Sequence, residues 1–312
     1  MLESNEDGPN ASGPKHVVVA GATGYLGKFV AREFKNRGYW VRALTRSVES
    51  LEKPGPFTAP AISRDAVDEV FIGEATKPET LGGLCAGPID VVFSSIGISR
   101  QRDGLTFDQV DYQANRNLID LCRDSDVRKF VYVSMLGAEQ IADLAITKAH
   151  ERVVNDLEKS GLEYAIVRPS GYFSDMGAVL DMAKRGRVLL VGDGTNRFNP
   201  IHGADLAAVC VDAAEGEERV VEAGGPDILS QREVAELAFD VVGKPAKVTI
   251  IPLWLAYGLA RFIGVLNRQF GDLAQFIVTA GEVDGVGPAR GKTTLRSYFE
   301  ELADQSSKDL AP

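Results

Sequence analysis

The sequence predicts an α/β protein: a doubly wound parallel sheet with a small, mostly helical C-terminal substrate lobe. Three observations lead there. Short apolar runs carry almost no charge, which suits strands buried on both faces. These runs alternate with amphipathic stretches at helical spacing, the order that covers a parallel sheet on both sides. The first run, Val17-Val18-Val19-Ala20, delivers the chain straight into Gly21, Gly24 and Gly27, which open an amphipathic stretch.

That first unit sets the expectation for function. A strand, a tight glycine turn and a helix form a seat for a phosphate, because the turn brings backbone N–H groups close and the unpaired donors at the helix start attract negative charge. The spacing is GxxGxxG, with Ala22 where a GxGxxG motif has its middle glycine. Gly21, Thr23, Gly24, Tyr25, Leu26 and Gly27 are the candidate diphosphate contacts. The other reading is a purely structural turn. The following helix, 28–38, has Phe29, Val30 and Phe34 on its apolar side.

A second strand over 40–46 ends in Thr45-Arg46-Ser47, and a Pro/Gly-rich loop follows over 54–60. In a doubly wound sheet this strand end lies beside the adenosine ribose. An acidic residue would grip the ribose hydroxyls, whereas a cation with hydroxyl donors favours NADPH over NADH. Alternatively, Arg46 is a solvated loop arginine. A third strand, 70–72, leads to Glu74, also a candidate cofactor contact. A fourth, 89–93, ends in Ser94, Ser95, Ile96 and Gly97, small enough in part to let backbone pass close under a cofactor. A mobile loop is expected over 100–104. The next helix, 108–123, carries Asp111, Tyr112 and Asn115 near its start, as support for the site or as caps.

The fifth strand, 129–135, places Ser134 at its carboxyl end, and the helix over 147–159 carries Lys148. A sixth strand, 164–168, is closed by Pro169. Gly171, Tyr172 and Phe173 open what reads as a long loop. Helices follow over 176–183, 203–214 and 230–242, the last with a Ser230/Glu233 capping box, and strands over 188–191 and 220–223. The apolar segments 250–257 and 262–278 read as helical and broken by Gly258, Gly264 and Gly271. They suit a lid or pocket for an apolar or aromatic substrate, or a contact with a membrane surface or partner protein through the 250–280 region. The domain reading is a disordered leader over 1–14, a dinucleotide-binding core over 15–170, and a mixed region over 171–312 that completes the sheet and forms the substrate lobe.

Composition narrows the partners. At 312 residues and 45% hydrophobic content, the chain can fill a sizeable core. Its formal charge of -10 argues against a nucleic-acid partner, which needs a basic face. Cys85, Cys122 and Cys210 lie far apart beside apolar residues and read as reduced, buried thiols in a cytoplasmic setting. His16, His150 and His202 show no metal-ligand spacing, so no metal is expected.

Taken together, GATGYLG at 21–27, Thr45-Arg46, FVYVSMLG at 130–137, Lys148, VRPSGYF at 167–173 and NPIHGADLA at 199–207 resemble the short-chain dehydrogenase/reductase superfamily, in its extended or atypical branch. The glycine motif, VRPSGYF and IHGADLA are similar to the divinyl chlorophyllide 8-vinyl-reductases and NmrA-like proteins. The resemblance implies a Rossmann-type fold, NADP as cofactor, Lys148 as ribose ligand, Ser134 as a substrate-orienting hydroxyl, and Pro169, Gly171, Tyr172 and Phe173 as a nicotinamide wall. In that superfamily a Ser–Tyr–Lys group works together, with tyrosine and lysine spaced YxxxK. Here Leu144 stands where the tyrosine is expected. A leucine carries no proton, so the expectation shifts to an atypical NADPH-dependent reductase acting on a conjugated or carbonyl substrate, with Lys148, Ser134 and Tyr172 as the catalytic candidates. The alternative is a dinucleotide-binding regulator or complex-associated assembly protein without turnover.

Overall fold

The computed structural model describes residues 14–55, 62, 66–98 and 104–309. The leader, apart from Pro14, lies outside the described residues, as do most of the expected loop over 100–104 and residues 56–60 of the loop after the second strand.

The core is a seven-stranded sheet in the order β3-β2-β1-β4-β5-β6-β9, with every pairing parallel. Its strands are β1 (His16–Ala20), β2 (Trp40–Thr45), β3 (Glu69–Ile72), β4 (Val91–Ser94), β5 (Lys129–Val133), β6 (Glu163–Pro169) and β9 (Val220–Ala223). Strand order reverses between β1 and β4, which opens a crevice at their carboxyl ends. Side chains alternate between two cores: Val17 and Val19 enter one with Val131 and Val133, while Val18 and Ala20 enter the other with Phe130 and Tyr132. Helices α1 (Tyr25–Asn36) and α6 (Gly203–Glu215) cover the first face, and α3 (Ala114–Arg123) and α4 (Ala145–Lys159) cover the second. Near-continuous apolar strands follow from burial on both sides.

The short helix α2 (Val48–Glu52) follows β2 and is held by an unusual bond. The ammonium of Lys28, buried within α1, donates to the carbonyls of Ser50, Leu51 and Lys53 at 2.7–3.1 Å. A cation at these terminal carbonyls satisfies groups the helix itself leaves unpaired.

The second lobe has its own apolar core, formed by α5 (Phe173–Lys184), β7 (Val188–Val191), α7 (Gln231–Val241) and α10 (Leu295–Asp309). Two small sheets lie outside the main one: β8 (Arg197–Phe198) pairs antiparallel with β10 (Leu229–Ser230), and β7 pairs parallel with β11 (Val248–Ile251). Helices α8 (Leu253–Leu266) and α9 (Arg268–Ala280) form a hairpin. The capping box at Ser230 is present in full.

Four expectations need correction. Gly171 to Phe173 does not open a long loop, because α5 starts at Phe173. Ile250 and Ile251 belong to strand β11, whose β-branched residues pair with β7. The glycines do not break the apolar helices: Gly258 and Gly264 lie inside α8, and Gly271 lies inside α9. The break falls at Asn267, whose side chain caps α9 by accepting from the amides of Gln269 and Phe270. Gly264 and Gly271 instead let the two helices touch, since a Cβ on Gly271 would lie 2.2 Å from the Cα of Gly264. Finally, α10 was not among the expected elements, although Leu295, Tyr298, Phe299 and Leu302 lie at helical spacing and pack into the second core.

Candidate functional site

The glycine turn after β1 is compact for steric reasons. Gly21 has a φ of 87°, and a Cβ there would meet the Ser95 hydroxyl at 2.9 Å. A Cβ on Gly27 would lie 2.0 Å from the Gly21 carbonyl oxygen, so only glycine lets α1 pack on the turn. Gly24 differs: it is exposed, and its Cβ would approach only the Gly21 oxygen, at 3.3 Å. Helix α1 has no side-chain cap and no acidic residue in its first turn, so its leading amides point outward unneutralised. This is the geometry that receives a phosphate. Of the other predicted contacts, Leu26 is a core residue, while Thr23 and Tyr25 are half-buried at the turn.

Arg46 is exposed at the end of β2. Beyond β3, Glu74 pairs with Lys77 at 2.8 Å and lies within electrostatic reach of Arg46; the Lys77 and Thr76 hydrogen bonds hold its carboxyl below the ordinary range. Predicted adenosine-side residues of both signs therefore gather at one strand edge. Past β4, the Ser94 hydroxyl donates to Asn115 at 2.5 Å, and Asn115 donates to the carbonyls of Ile96 and Asp111. Ser95 donates its amide to Ala20. The segment 94–97 is thus fastened from beneath by α3.

The sequence offers Asp111 as support for the site, but not the polar chain it forms with His150 and Tyr132. Asp111 lies in a π-helical turn, Asp108–Gln113, and accepts from the Ile98 amide. Its carboxylate is 3.3 Å from His150 Nε2, and His150 Nδ1 is 2.9 Å from the hydroxyl of fully buried Tyr132. A Cβ on Gly97 would lie 2.8 Å from Asp111 Oδ1. Burial pushes the Tyr132 hydroxyl well above its ordinary value, so Tyr132 keeps its proton. One signal was visible beforehand: His150 and Lys148, two apart on a helix, must face different directions.

Ser134 continues the Phe130–Tyr132 side of β5 and is buried, and its hydroxyl has no partner among the described residues. A buried, unpartnered hydroxyl at a strand end on the switch-point side awaits a bond from a ligand or water. The Lys148 ammonium is largely exposed, 3.6 Å from Asp143. Leu144 is buried in an apolar wall with Phe107, Ile141, Ile146 and Ala149, to which Ile98, Met135, Leu273 and Phe276 add.

The predicted nicotinamide wall divides. Pro169 ends β6 and accepts from the Leu136 amide, and Gly171 has a φ of 139°. The Tyr172 ring turns toward α1, edge-on to Tyr25, and burial raises its hydroxyl far above the ordinary tyrosine value. Phe173 packs in the second core against His202 and Tyr298.

The NPIHGADLA segment proves to be a clamp. Asn199, fully buried, donates to the carbonyls of Gly225 and Gly287 and accepts from the Gly287 amide. Asp205 accepts from the amides of Lys292 and Thr293. His202 caps α6 through Nδ1, and the Tyr25 hydroxyl accepts from the Gly203 amide. Burial lowers the His202 pKa against the opposing pull of Asp205 and Glu301.

A parallel switch-point sheet with a glycine seat defines a dinucleotide-binding Rossmann protein. More specifically, the chain belongs to the family described as NAD(P)H-binding, which residues 21–217 match. Divinyl chlorophyllide a 8-vinyl-reductase of Cucumis sativus is 27% identical over 342 residues, covering 98% of this chain and 80% of its own. Photosystem II assembly factor Ycf39 of Synechocystis sp. is 24% identical over 318 residues, covering 94% and 92%. In architecture, the NADPH-dependent quinone oxidoreductase QOR2 of Escherichia coli, solved with NADPH, matches with a TM-score of 0.71 at 20% identity, covering 92% of this chain and 99% of that one. This chain is thus a distant relative of proteins with quite different roles.

Proposed function

We propose that the chain is an NADPH-dependent reductase of an apolar substrate carrying a conjugated double bond or a carbonyl. The observation that carries this reading is the unpartnered Ser134 hydroxyl, buried at the end of β5, close in sequence to Met135 of the apolar wall. The residues fit the cofactor: the Gly21–Gly27 turn and the bare start of α1 would hold the diphosphate, Arg46 would take the adenosine phosphate, and the 94–97 segment would line the cofactor's path. When bound, NADPH supplies a hydride. The protein's part is positional: the Leu144 wall selects apolar surface, and Ser134 donates a hydrogen bond to a substrate oxygen as charge develops there. With Leu144 in place of an acid, the proton that completes reduction comes from solvent, passed through Ser134. The similarity to a reductase of a vinyl-substituted tetrapyrrole and the fold shared with a quinone oxidoreductase support this substrate class.

The test is NADPH consumption against a panel of enones, quinones and vinyl tetrapyrroles, with Ser134→Ala alongside. We expect turnover with at least one apolar acceptor, and about a 100- to 1,000-fold loss in the variant, the scale of one hydrogen-bond donor acting on developing charge. Tight NADPH binding without turnover of any acceptor favours the second reading, a dinucleotide-binding assembly or regulatory protein, for which Leu144 is harmless and which the similarity to an assembly factor supports.

A further inference from the structure

The α8–α9 hairpin is packed on its inner side and exposes apolar side chains on its outer side. Ala256 and Ala260 are buried, Gly264 meets Gly271, and Leu273 and Phe276 of α9 reach the Leu144 wall. Outward, α8 exposes Trp254 (75%), Phe262 (61%), Val265 (81%) and Leu266 (73%), with Leu255 and Leu259 between them. At about 100° per residue these six fall within an arc of about 140°, a convex stripe rather than a groove. Arg261 borders the stripe beside Trp254, and Arg268 stands exposed at the hairpin's tip. The hairpin carries two arginines and one aspartate in a chain whose net charge is -10. An acidic protein has therefore placed a broad exposed apolar stripe beside cations. Two copies meeting through this stripe would bring together two acidic bodies along convex ridges, a poor basis for a dimer. Among the described residues no helix is long and apolar enough to cross a membrane. A helix with tryptophan, phenylalanine and leucine on one face and arginine at its border suits the plane of a lipid interface.

We propose that α8 lays this stripe into the surface of a lipid bilayer bearing anionic headgroups, with Arg261 and Arg268 at headgroup level. The inference is independent of whether the protein turns over a substrate. The test is flotation of the full chain with vesicles of phosphatidylcholine, alone or mixed with phosphatidylglycerol, together with quenching of Trp254 by brominated lipid. We expect co-flotation that is stronger on the anionic vesicles and weakened by salt, with quenching in the floated fraction. The double variant Phe262→Glu/Val265→Glu should lose at least tenfold in vesicle affinity while keeping its NADPH binding and melting temperature. Arg261→Glu/Arg268→Glu should lose the preference for anionic lipid. The proposal is overturned if the full chain stays with the soluble fraction, if the Glu variant floats as well as the parent, or if sedimentation shows a dimer that this variant dissociates.

Discussion

Gly24 and Gly27, three residues apart, illustrate how differently two glycines of one motif act. A side chain at Gly27 would enter the Gly21 carbonyl, whereas one at Gly24 would fill only the open seat. Gly27→Val should therefore lower stability by about 1–3 kcal/mol through overpacking, read as a lower denaturation midpoint. At the strand edge, Arg46→Asp should weaken NADPH binding by about 10-fold or more and NADH binding little, measured by parallel titrations; equal effects would detach this arginine from the phosphate. His202 gives a pH dependence with a definite sign. Burial lowers its folded pKa, so the unfolded chain takes up a proton that the folded chain refuses. The stability it confers is complete above the ordinary histidine value of about 6.5 and declines as pH falls through the lower folded value. Melting temperature followed from neutral to mildly acidic pH should drop, and His202→Asn, which keeps a cap acceptor, should flatten the drop.

Among the elements, those of the first half were legible because their pattern is local. β1, β2, β5 and β6 are apolar runs bounded by charge or glycine, and α1 and α4 carry a clean apolar stripe. Where the reading failed, the missing information was three-dimensional. Val248–Ile251 is β-branched throughout, but the run is short, borders an apolar helical segment, and has its partner β7 far back in the chain. Gly264 and Gly271 looked like breaks because a helix interior disfavours glycine, yet their value lies in the approach of a second helix. Gly271→Val should force α8 and α9 apart and cost about 1–3 kcal/mol, seen as an earlier unfolding transition; an unchanged midpoint would contradict the close packing.

Across the whole molecule, the candidate site was legible in its cofactor half and obscure in its chemical half. The seat is a contiguous motif. The polar chain from Asp111 through His150 to Tyr132 joins three elements, and no spacing rule finds it. The NPIHGADLA segment carried a resemblance to dehydrogenases, but its buried Asn199 and its Asp205 tie the segments around 287 and 292 to the sheet and so join the two lobes. A fully buried side chain that satisfies three backbone groups is costly to remove. Asn199→Ala should accordingly destabilise both lobes together by about 2–4 kcal/mol in a single transition, whereas a two-step melt would show that the lobes fold separately.

The central claim is that the turn between β1 and α1 grips the diphosphate of NADPH, and calorimetric titration of the full chain tests it most directly. Saturable NADPH binding in the parent protein, absent in a Gly24→Leu variant whose circular dichroism and melting temperature match the parent, is the predicted result. A folded parent that binds neither NADPH nor NADH, or a variant that binds as tightly as the parent, would contradict it.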